Sequence, residues 1–162
     1  KFFTIGFTVI LSIGIAGIAC GGTAEKATGG VQTSYPSAAS GDFVSFNAQE
    51  VVPEMCIGKG NINYSGSRDE AFVYHFDVRY VRVEPDTNEA YFAGVCNHTT
   101  NDQNLGEWMY IYVYDGTDKN TDPDRLGGFW CDSGEDQCYD AVENGVDTRT
   151  TSCVAGNLVV HP

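Results

Sequence analysis

The sequence predicts an all-β fold, a two-sheet β-sandwich of the immunoglobulin-like or Greek-key type that carries an apolar N-terminal extension. Two observations favour this class. Short runs rich in Val, Ile, Thr, Tyr and Phe recur along the chain, separated by Gly, Pro, Asn or Asp. No segment keeps a helical period over about 11 residues. One domain accounts for 162 residues, which is enough chain to bury a core.

The chain divides into three segments. Residues 1–19 are apolar, residues 20–40 form a linker with the first strand, and residues 41–162 form the sandwich. Within the sandwich, regularly spaced runs predict seven or eight strands. In order, these runs are Asp42 to Ala48, Gly60 to Ser65, Ala71 to Glu84, Glu89 to Cys96, Glu107 to Tyr114, Leu126 to Cys131, Gln137 to Val142 and Cys153 to His161.

The longest run predicts two local features. Apolar positions alternate from Phe72 to Tyr80 and then shift by one residue to Val81, which predicts a β-bulge. Turn-forming residues between Glu84 and Glu89 predict a hairpin.

The run from Glu107 to Tyr114 has apolar side chains on both faces. Because both faces need cover, this run predicts a central strand or a strand beneath another layer. Its aromatic face could stack on sugar rings, although core packing is the favoured interpretation. The aromatic residues are Trp108, Tyr110, Tyr112 and Tyr114, and the opposite face carries Met109, Ile111 and Val113.

The N-terminal segment alternates in the manner of a strand. Burying its apolar face represents about 10–20 kcal/mol of gross stabilisation, so we expect another molecule to cover it. A segment inserted from each subunit into the next would generate rings or filaments. We therefore predict assembly through Phe3, Ile5, Phe7, Val9, Leu11, Ile13 and Ile15.

Two alternatives for this segment stay open. The sequence from Gly17 to Cys20 resembles the cleavage site of a bacterial lipoprotein signal peptide, in which case the segment is removed and Cys20 carries lipid. The apolar stretch could instead anchor the protein in a membrane.

Six cysteines without CxxC spacing favour disulfides in an oxidising, extracellular compartment. Cys131 and Cys138 flank a short acidic loop and predict a local bridge. The second predicted pair is Cys56 with Cys96. If the N-terminal segment is retained, Cys20 can pair with Cys153, and the alternative is a free, buried Cys153.

An acidic loop predicts a calcium site, because Ca²⁺ prefers six to eight oxygen ligands from such loops. The alternative is a solvated turn whose Asp and Asn side chains favour bends. The candidate ligands are Asp115, Asp118, Asn120, Asp122 and Asp124.

No catalytic motif is present, so we predict that the protein is not an enzyme. Asn63 and Asn97 begin N-glycosylation triplets and are predicted to lie on an outer surface. A net charge of −13 disfavours binding to nucleic acid.

Several short blocks resemble, in order, a secreted β-domain of bacterial surface proteins called the post-COAP domain. The resemblance covers about residues 27–162 and implies a secreted β-fold without catalytic residues to transfer. The blocks are 27–30, 43–48, 89–95, 112–116, 123–127 and 156–161.

Together these observations predict a structural subunit of an extracellular filament or surface layer, whose partners are identical subunits joined through residues 2–19. The alternative is a monomeric surface lipoprotein that serves as a binding or adhesion module and is anchored at Cys20.

Overall fold

The computed structural model describes residues 24–33, 42–66, 72–100, 102–118, 121–148 and 151–161. Eight antiparallel strands follow one another around a closed barrel, each paired with its sequence neighbours and β8 paired with β1. The strands are β1 Lys26–Thr33, β2 Phe43–Val52, β3 Ile57–Ser65, β4 Val73–Glu84, β5 Glu89–Thr99, β6 Trp108–Tyr114, β7 Arg125–Trp130 and β8 Thr151–His161. One helix, α1 Glu135–Glu143, lies between β7 and β8.

The all-β prediction is confirmed, whereas the strands form one closed sheet in place of the predicted two-sheet sandwich. Alternating side chains fit either architecture, because in both one face of each strand is buried. The pairing of β1 with β8 closes the sheet and distinguishes the barrel from a sandwich. It runs from Lys26↔His161 to Thr33↔Cys153. This long-range pairing joins the two outermost described strands.

The barrel interior is apolar. Alternate residues of every strand point inward, and a fully buried Val, Ile, Leu or Phe side chain contributes about 1.5–3 kcal/mol. Side chains less than 2 % exposed in this interior include Val31, Val44, Ile62, Phe76, Val81, Phe92, Val113 and Leu158.

The predicted bulge and hairpin are both confirmed. Pairing of β4 with β5 shifts between Val78 and Tyr80, so Val78 and Val81 both face the interior while Tyr80 lies outside. A 3-10 turn at Pro85–Thr87 then connects β4 to β5, with Asn88 in the left-handed conformation (φ 57°).

A second apolar cluster lies outside the barrel, beneath α1. Tyr110 and Tyr112 of β6 are fully buried there, which confirms that β6 is covered on both faces and that its aromatic face packs in a core. The strand predicted for Gln137 to Val142 is wrong, because this segment belongs to α1. Helical spacing places its buried residues on one face over β6: Cys138, Ala141 and Val142.

Among the described residues, no helix combines the length and the apolar character needed to span a bilayer.

Candidate functional site

The barrel wall is discontinuous between β7 and β8. β7 has six residues and β8 has eleven, and the two strands pair only through Arg125↔Ser152 and Leu126↔Thr151. On either side of these two pairs, β7 and β8 do not pair with each other, so another part of the chain covers the gap or the wall remains open. We call the end where β2, β4, β6 and β8 finish the closed end, and the end where β1, β3, β5 and β7 finish the open end.

At the closed end, carboxylates from the β6–β7 loop replace the missing strand pairing. The Asp124 carboxylate accepts hydrogen bonds from the backbone N–H groups of Gly116 (3.1 Å) and Leu158 (2.9 Å). The Asp115 carboxylate accepts one from the N–H of Val160 at 3.1 Å. Two N–H groups of β8 that have no partner on β7 are therefore satisfied by side chains.

Two carboxylates of this loop have pKa values shifted in opposite directions. Burial raises the pKa of Asp115 above its ordinary value, and the neighbouring Asp124 charge adds to the shift, while the Val160 N–H opposes it. Asp122 lies at the surface, where hydrogen bonds from the Tyr114 hydroxyl and from Thr117 lower its pKa. The loop thus combines a partly desolvated carboxylate with a hydrated one.

Two of the predicted calcium ligands, Asp115 and Asp124, serve this closure. Asp115, Asp122 and Asp124 accept the hydrogen bonds just described, and Asp118 accepts one from the N–H of Thr121 at 3.0 Å. Asn120 lies outside the described residues. Within the described part of the chain, no group of three or more His, Cys, Asp or Glu side chains is arranged to bind a metal ion. Calcium binding stays a prediction.

A third carboxylate at the closed end, that of Glu50, also accepts a hydrogen bond from the backbone. Glu50 is only 6 % exposed and accepts a hydrogen bond from the backbone N–H of Val83 at 3.0 Å. Burial raises its pKa from 4.5 to about 7, and the nearby Glu25 and Glu84 charges act in the same direction. Its protonation therefore changes near neutral pH.

The open end contains a cavity of about 350 Å³. It lies where β8 has not yet begun, because its walls include Thr33 of β1 and residues 126–130 of β7 but no described residue of β8, the strand between them. Its apolar lining includes four side chains of the barrel interior: Val44, Met109, Ile111 and Leu126.

Among the described residues, few polar side chains reach this cavity. Asp42 immediately precedes β2 and is 6 % exposed, and its carboxylate accepts a hydrogen bond from the Tyr64 hydroxyl. The backbone carbonyl of Asp42 accepts a bond from the N–H of Thr33 at 2.8 Å, which fixes the residue beside the end of β1. An apolar cavity with a small number of fixed polar groups is typical of small-molecule sites.

An aromatic wall supports the open end. Tyr64 and Trp130 line the cavity, and Tyr74 packs against both, with ring centroids 6.1 Å from Tyr64 and 5.3 Å from Trp130. Phe76 contacts Trp130 at 5.5 Å. These contacts fix the orientations of the two lining rings before any ligand arrives.

Two adjacent glycines allow neighbouring chain segments to approach β7 closely. A Cβ atom on Gly127 would overlap the backbone carbonyl of Thr148, which crosses the outer side of β7. A Cβ atom on Gly128 would lie 2.5 Å from the backbone carbonyl oxygen of Tyr110 and 3.0 Å from Cδ1 of Ile111, both inside the normal contact distance. Side chains at these positions would displace the neighbouring backbone.

The predicted disulfides have different outcomes. The bond between Cys131 and Cys138 is present, with their Cα atoms 5.7 Å apart, and it joins the end of β7 to α1. The predicted bond between Cys56 and Cys96 is wrong, because Cys56 lies in the outer cluster and Cys96 in the barrel interior, and both are free thiols. Cys20 lies outside the described residues, so its pairing with Cys153 stays a prediction.

The two glycosylation triplets lie on the outer face of the barrel. Asn63 contacts Ser45 and His75, while the exposed Asn97 donates a hydrogen bond to Asp77 at 2.8 Å. Glycosylation itself stays a prediction. All seven residues of the predicted assembly segment, from Phe3 to Ile15, lie outside the described residues.

No pattern in the sequence predicts the cavity. Asp42, Tyr64 and Trp130 come from three different strands or their ends, and no local pattern links them. The one available signal was the pair of adjacent glycines in β7, which indicates a close approach or an open space.

Comparisons with protein-family models, with curated proteins and with solved structures found no match to this chain. The resemblance to the post-COAP domain stays a prediction.

Proposed function

We propose that this protein is an extracellular binding protein that takes a small, largely apolar molecule into the open end of its barrel. The cavity of about 350 Å³ is the observation that carries the proposal. Binding cavities of about 300–1,000 Å³ are usual for small molecules, and an eight-stranded barrel has an interior wide enough for one small ligand. In this proposal, the cavity is the site at which the predicted binding module takes up its ligand.

The Cys131–Cys138 disulfide supports the extracellular location. Such bonds persist in oxidising compartments and are rare in the cytosol. Because the bond joins the end of β7 to α1, it also fixes the outer layer behind the cavity wall.

A neutral fluorescent probe tests the binding proposal. We expect N-phenyl-1-naphthylamine to bind one site per chain with an emission increase, since its rings would leave water. Val44→Phe should reduce its affinity at least tenfold, because Val44 lines the cavity and the larger ring would occupy it.

The matched control is Val51→Phe. Val51 lies on the same strand, toward the closed end, and is 51 % exposed, so this variant should bind the probe as the wild type does. Equal affinity in all three proteins, or no binding to the folded wild type, would contradict the proposal.

Assembly through the N-terminal segment is a second proposal, and it rests on the alternating apolar side chains of residues 2–19. The eight described strands pair in a closed ring, although β7 and β8 share only two residue pairs. Deleting residues 1–19 should convert an assembling protein into a soluble monomer, as measured by light scattering and negative-stain microscopy. Polymerisation of the truncated chain would contradict assembly through this segment.

The lipoprotein alternative has its own measurement. If mature chains begin at Cys20 with attached acyl groups, the intact mass will show it, and the segment before Cys20 cannot then join subunits.

A further inference from the structure

We infer that the outer face of the barrel binds a divalent transition-metal ion between His75 of β4 and His98 of β5. This site is separate from the cavity described above and does not depend on the binding function proposed for it. Three observations carry the inference: the spacing of the two imidazole rings, a β-bulge that turns His98 outward, and a hydrogen-bonded chain that orients His75.

The ring spacing is the first observation. His75 and His98 are direct partners in the antiparallel pairing of β4 with β5, and their ring centroids lie 5.2 Å apart. Two imidazoles that bind one tetrahedral Zn²⁺ ion through bonds of about 2.0–2.1 Å also place their centroids about 5 Å apart. His98 is exposed and His75 is partly exposed, so an ion can reach both rings from solvent.

The second observation is the β-bulge in β5. In regular alternation His98 would point inward like Cys96, which lies in the barrel interior. The register shifts immediately after the pair of His75 with His98, which leaves Asn97 without a pairing partner on β4. Asn97 and His98 are consequently both exposed, and the Asn97 amide donates a hydrogen bond to Asp77 at 2.8 Å. Bulges of this kind re-aim side chains beside functional sites.

The third observation is the orientation of the His75 ring. The Asn63 amide donates a hydrogen bond to the Ser45 hydroxyl at 3.4 Å, and its oxygen contacts Nδ1 of His75. Because a carbonyl oxygen can only accept, Nδ1 carries the proton, and Nε2 of the neutral ring keeps its lone pair. Histidines that bind metals donate their second ring nitrogen in this way, which fixes the ring. Asn63 lies on β3, so it supports His75 from the side opposite His98.

The ligand types select the class of ion. Imidazole nitrogens suit Zn²⁺, Ni²⁺ and Cu²⁺, whereas Ca²⁺ and Mg²⁺ prefer oxygen. Within the described ranges, no third His, Cys, Asp or Glu side chain joins the two histidines in a metal-binding group. The two histidines therefore supply two ligands, and water completes the coordination. We expect weaker binding than at a closed, four-ligand structural zinc site.

Calorimetric titrations of the full chain with Zn²⁺ and with Ni²⁺ test the site. The protein comes from a host that does not glycosylate it, because Asn63 and Asn97 begin glycosylation triplets. Excess Ca²⁺ in the buffer competes for carboxylate ligands elsewhere on the chain. We expect one ion per chain, and His75→Gln and His98→Gln should each weaken binding at least tenfold, because chelation needs both rings.

The matched control is His161→Gln. His161 is the third histidine of the chain and ends β8 at the closed end, so its loss should leave the affinity unchanged. Asn63→Ala keeps both ligands but removes the hydrogen bond to Nδ1 of His75, and we expect it to weaken binding about tenfold. Unchanged affinity in this variant would contradict the positioning role of Asn63.

Paramagnetic Ni²⁺ gives a second measurement that needs no substitution at the site. Added below one equivalent, it should broaden the NMR signals of the His75 and His98 ring protons. The ring signals of His161, which the His161→Gln variant identifies, should stay sharp.

The outcomes separate this site from the cavity. If neither Zn²⁺ nor Ni²⁺ binds the folded wild type, or if neither histidine substitution weakens binding, the inference is wrong, while the proposed uptake of a small molecule is unaffected. Should a variant fail to fold, the NMR experiment decides. Equal broadening of all three histidines, or broadening of His161 alone, would contradict the site.

Discussion

The two ends of the barrel differ in what borders the gap between β7 and β8. β7 is too short to pair with all of β8, which leaves a gap on either side of two residue pairs. At the closed end, Asp115 and Asp124 accept the N–H groups of β8 and seal the wall. At the open end, the gap becomes a cavity with aromatic walls. A short strand is therefore accompanied by a polar seal at one end and by a cavity at the other, depending on which side chains border it.

Carboxylates occupy both ends but have different partners. Asp115, Asp124 and Glu50 accept backbone N–H groups and so replace missing or displaced strand pairs. Asp42 accepts a side-chain hydroxyl and lines an open space. We infer that the closed-end carboxylates stabilise the fold.

The largest expected effect comes from breaking the seal at the closed end. Asp124→Ala removes the acceptor of two backbone N–H groups, those of Gly116 and Leu158. Each hydrogen bond to a charged group contributes about 1.5–3 kcal/mol, and partial exposure of the Asp124 carboxylate lowers the sum for the two bonds. We therefore expect a loss of about 2–4 kcal/mol in the free energy of unfolding, measured with urea.

The control for this variant is Asp118→Ala in the same loop. Asp118 is exposed and accepts a hydrogen bond from within the loop, so its loss should cost less than about 1 kcal/mol. Equal effects of the two substitutions would show that the loop does not close the barrel in the way described.

Glu50 gives an intermediate effect that depends on pH. Its folded pKa of about 7 lies above the ordinary 4.5, so the folded state holds this proton more tightly than the unfolded state does. The resulting stability is fully present below about pH 4.5 and is lost as pH rises through about 7. The variant Glu50→Gln stays neutral and keeps an acceptor for the Val83 N–H.

At pH 8 we therefore expect Glu50→Gln to be more stable than the wild type by about 1–2 kcal/mol, with little difference at pH 4.5. Glu54→Gln, at an exposed position of the same end, should show no such pH-dependent difference. Denaturant unfolding at several pH values between 4.5 and 8 measures the difference in the free energy of unfolding between the proteins. If that free energy depends on pH in the same way for wild type and Glu50→Gln, a raised pKa at Glu50 is excluded.

The smallest expected effect concerns calcium at the closed end. If hydrogen bonds alone close the loop, replacing millimolar calcium with EDTA should change Tm by less than about 1 °C. A bound ion would raise Tm in calcium, since a ligand that binds only the folded state stabilises it. A clear rise that Asp118→Ala or Asn120→Ala abolishes would confirm the calcium site predicted from the sequence.

The helix and the cysteines show where local patterns mislead. The segment from Gln137 to Val142 is too short to separate strand from helix by composition, and its position over Tyr110 and Tyr112 determines the outcome. The predicted pair of Cys56 and Cys96 is not formed because the barrel wall separates the two clusters in which these residues lie. In contrast, Cys131 and Cys138 are seven residues apart, so their bond could be predicted locally.

The sequence by itself determined the β-class, the bulge near Tyr80, the hairpin after Glu84 and the two covered faces of β6, because side-chain period and turn chemistry are local properties. Only the tertiary structure decided that the sheet closes on itself and that Asp42, Tyr64 and Trp130 meet in one cavity. These features depend on pairings between distant segments, above all β1 with β8 and the short contact of β7 with β8. Alternation specifies which side chains point inward, and strand lengths and partners then fix where the wall is complete.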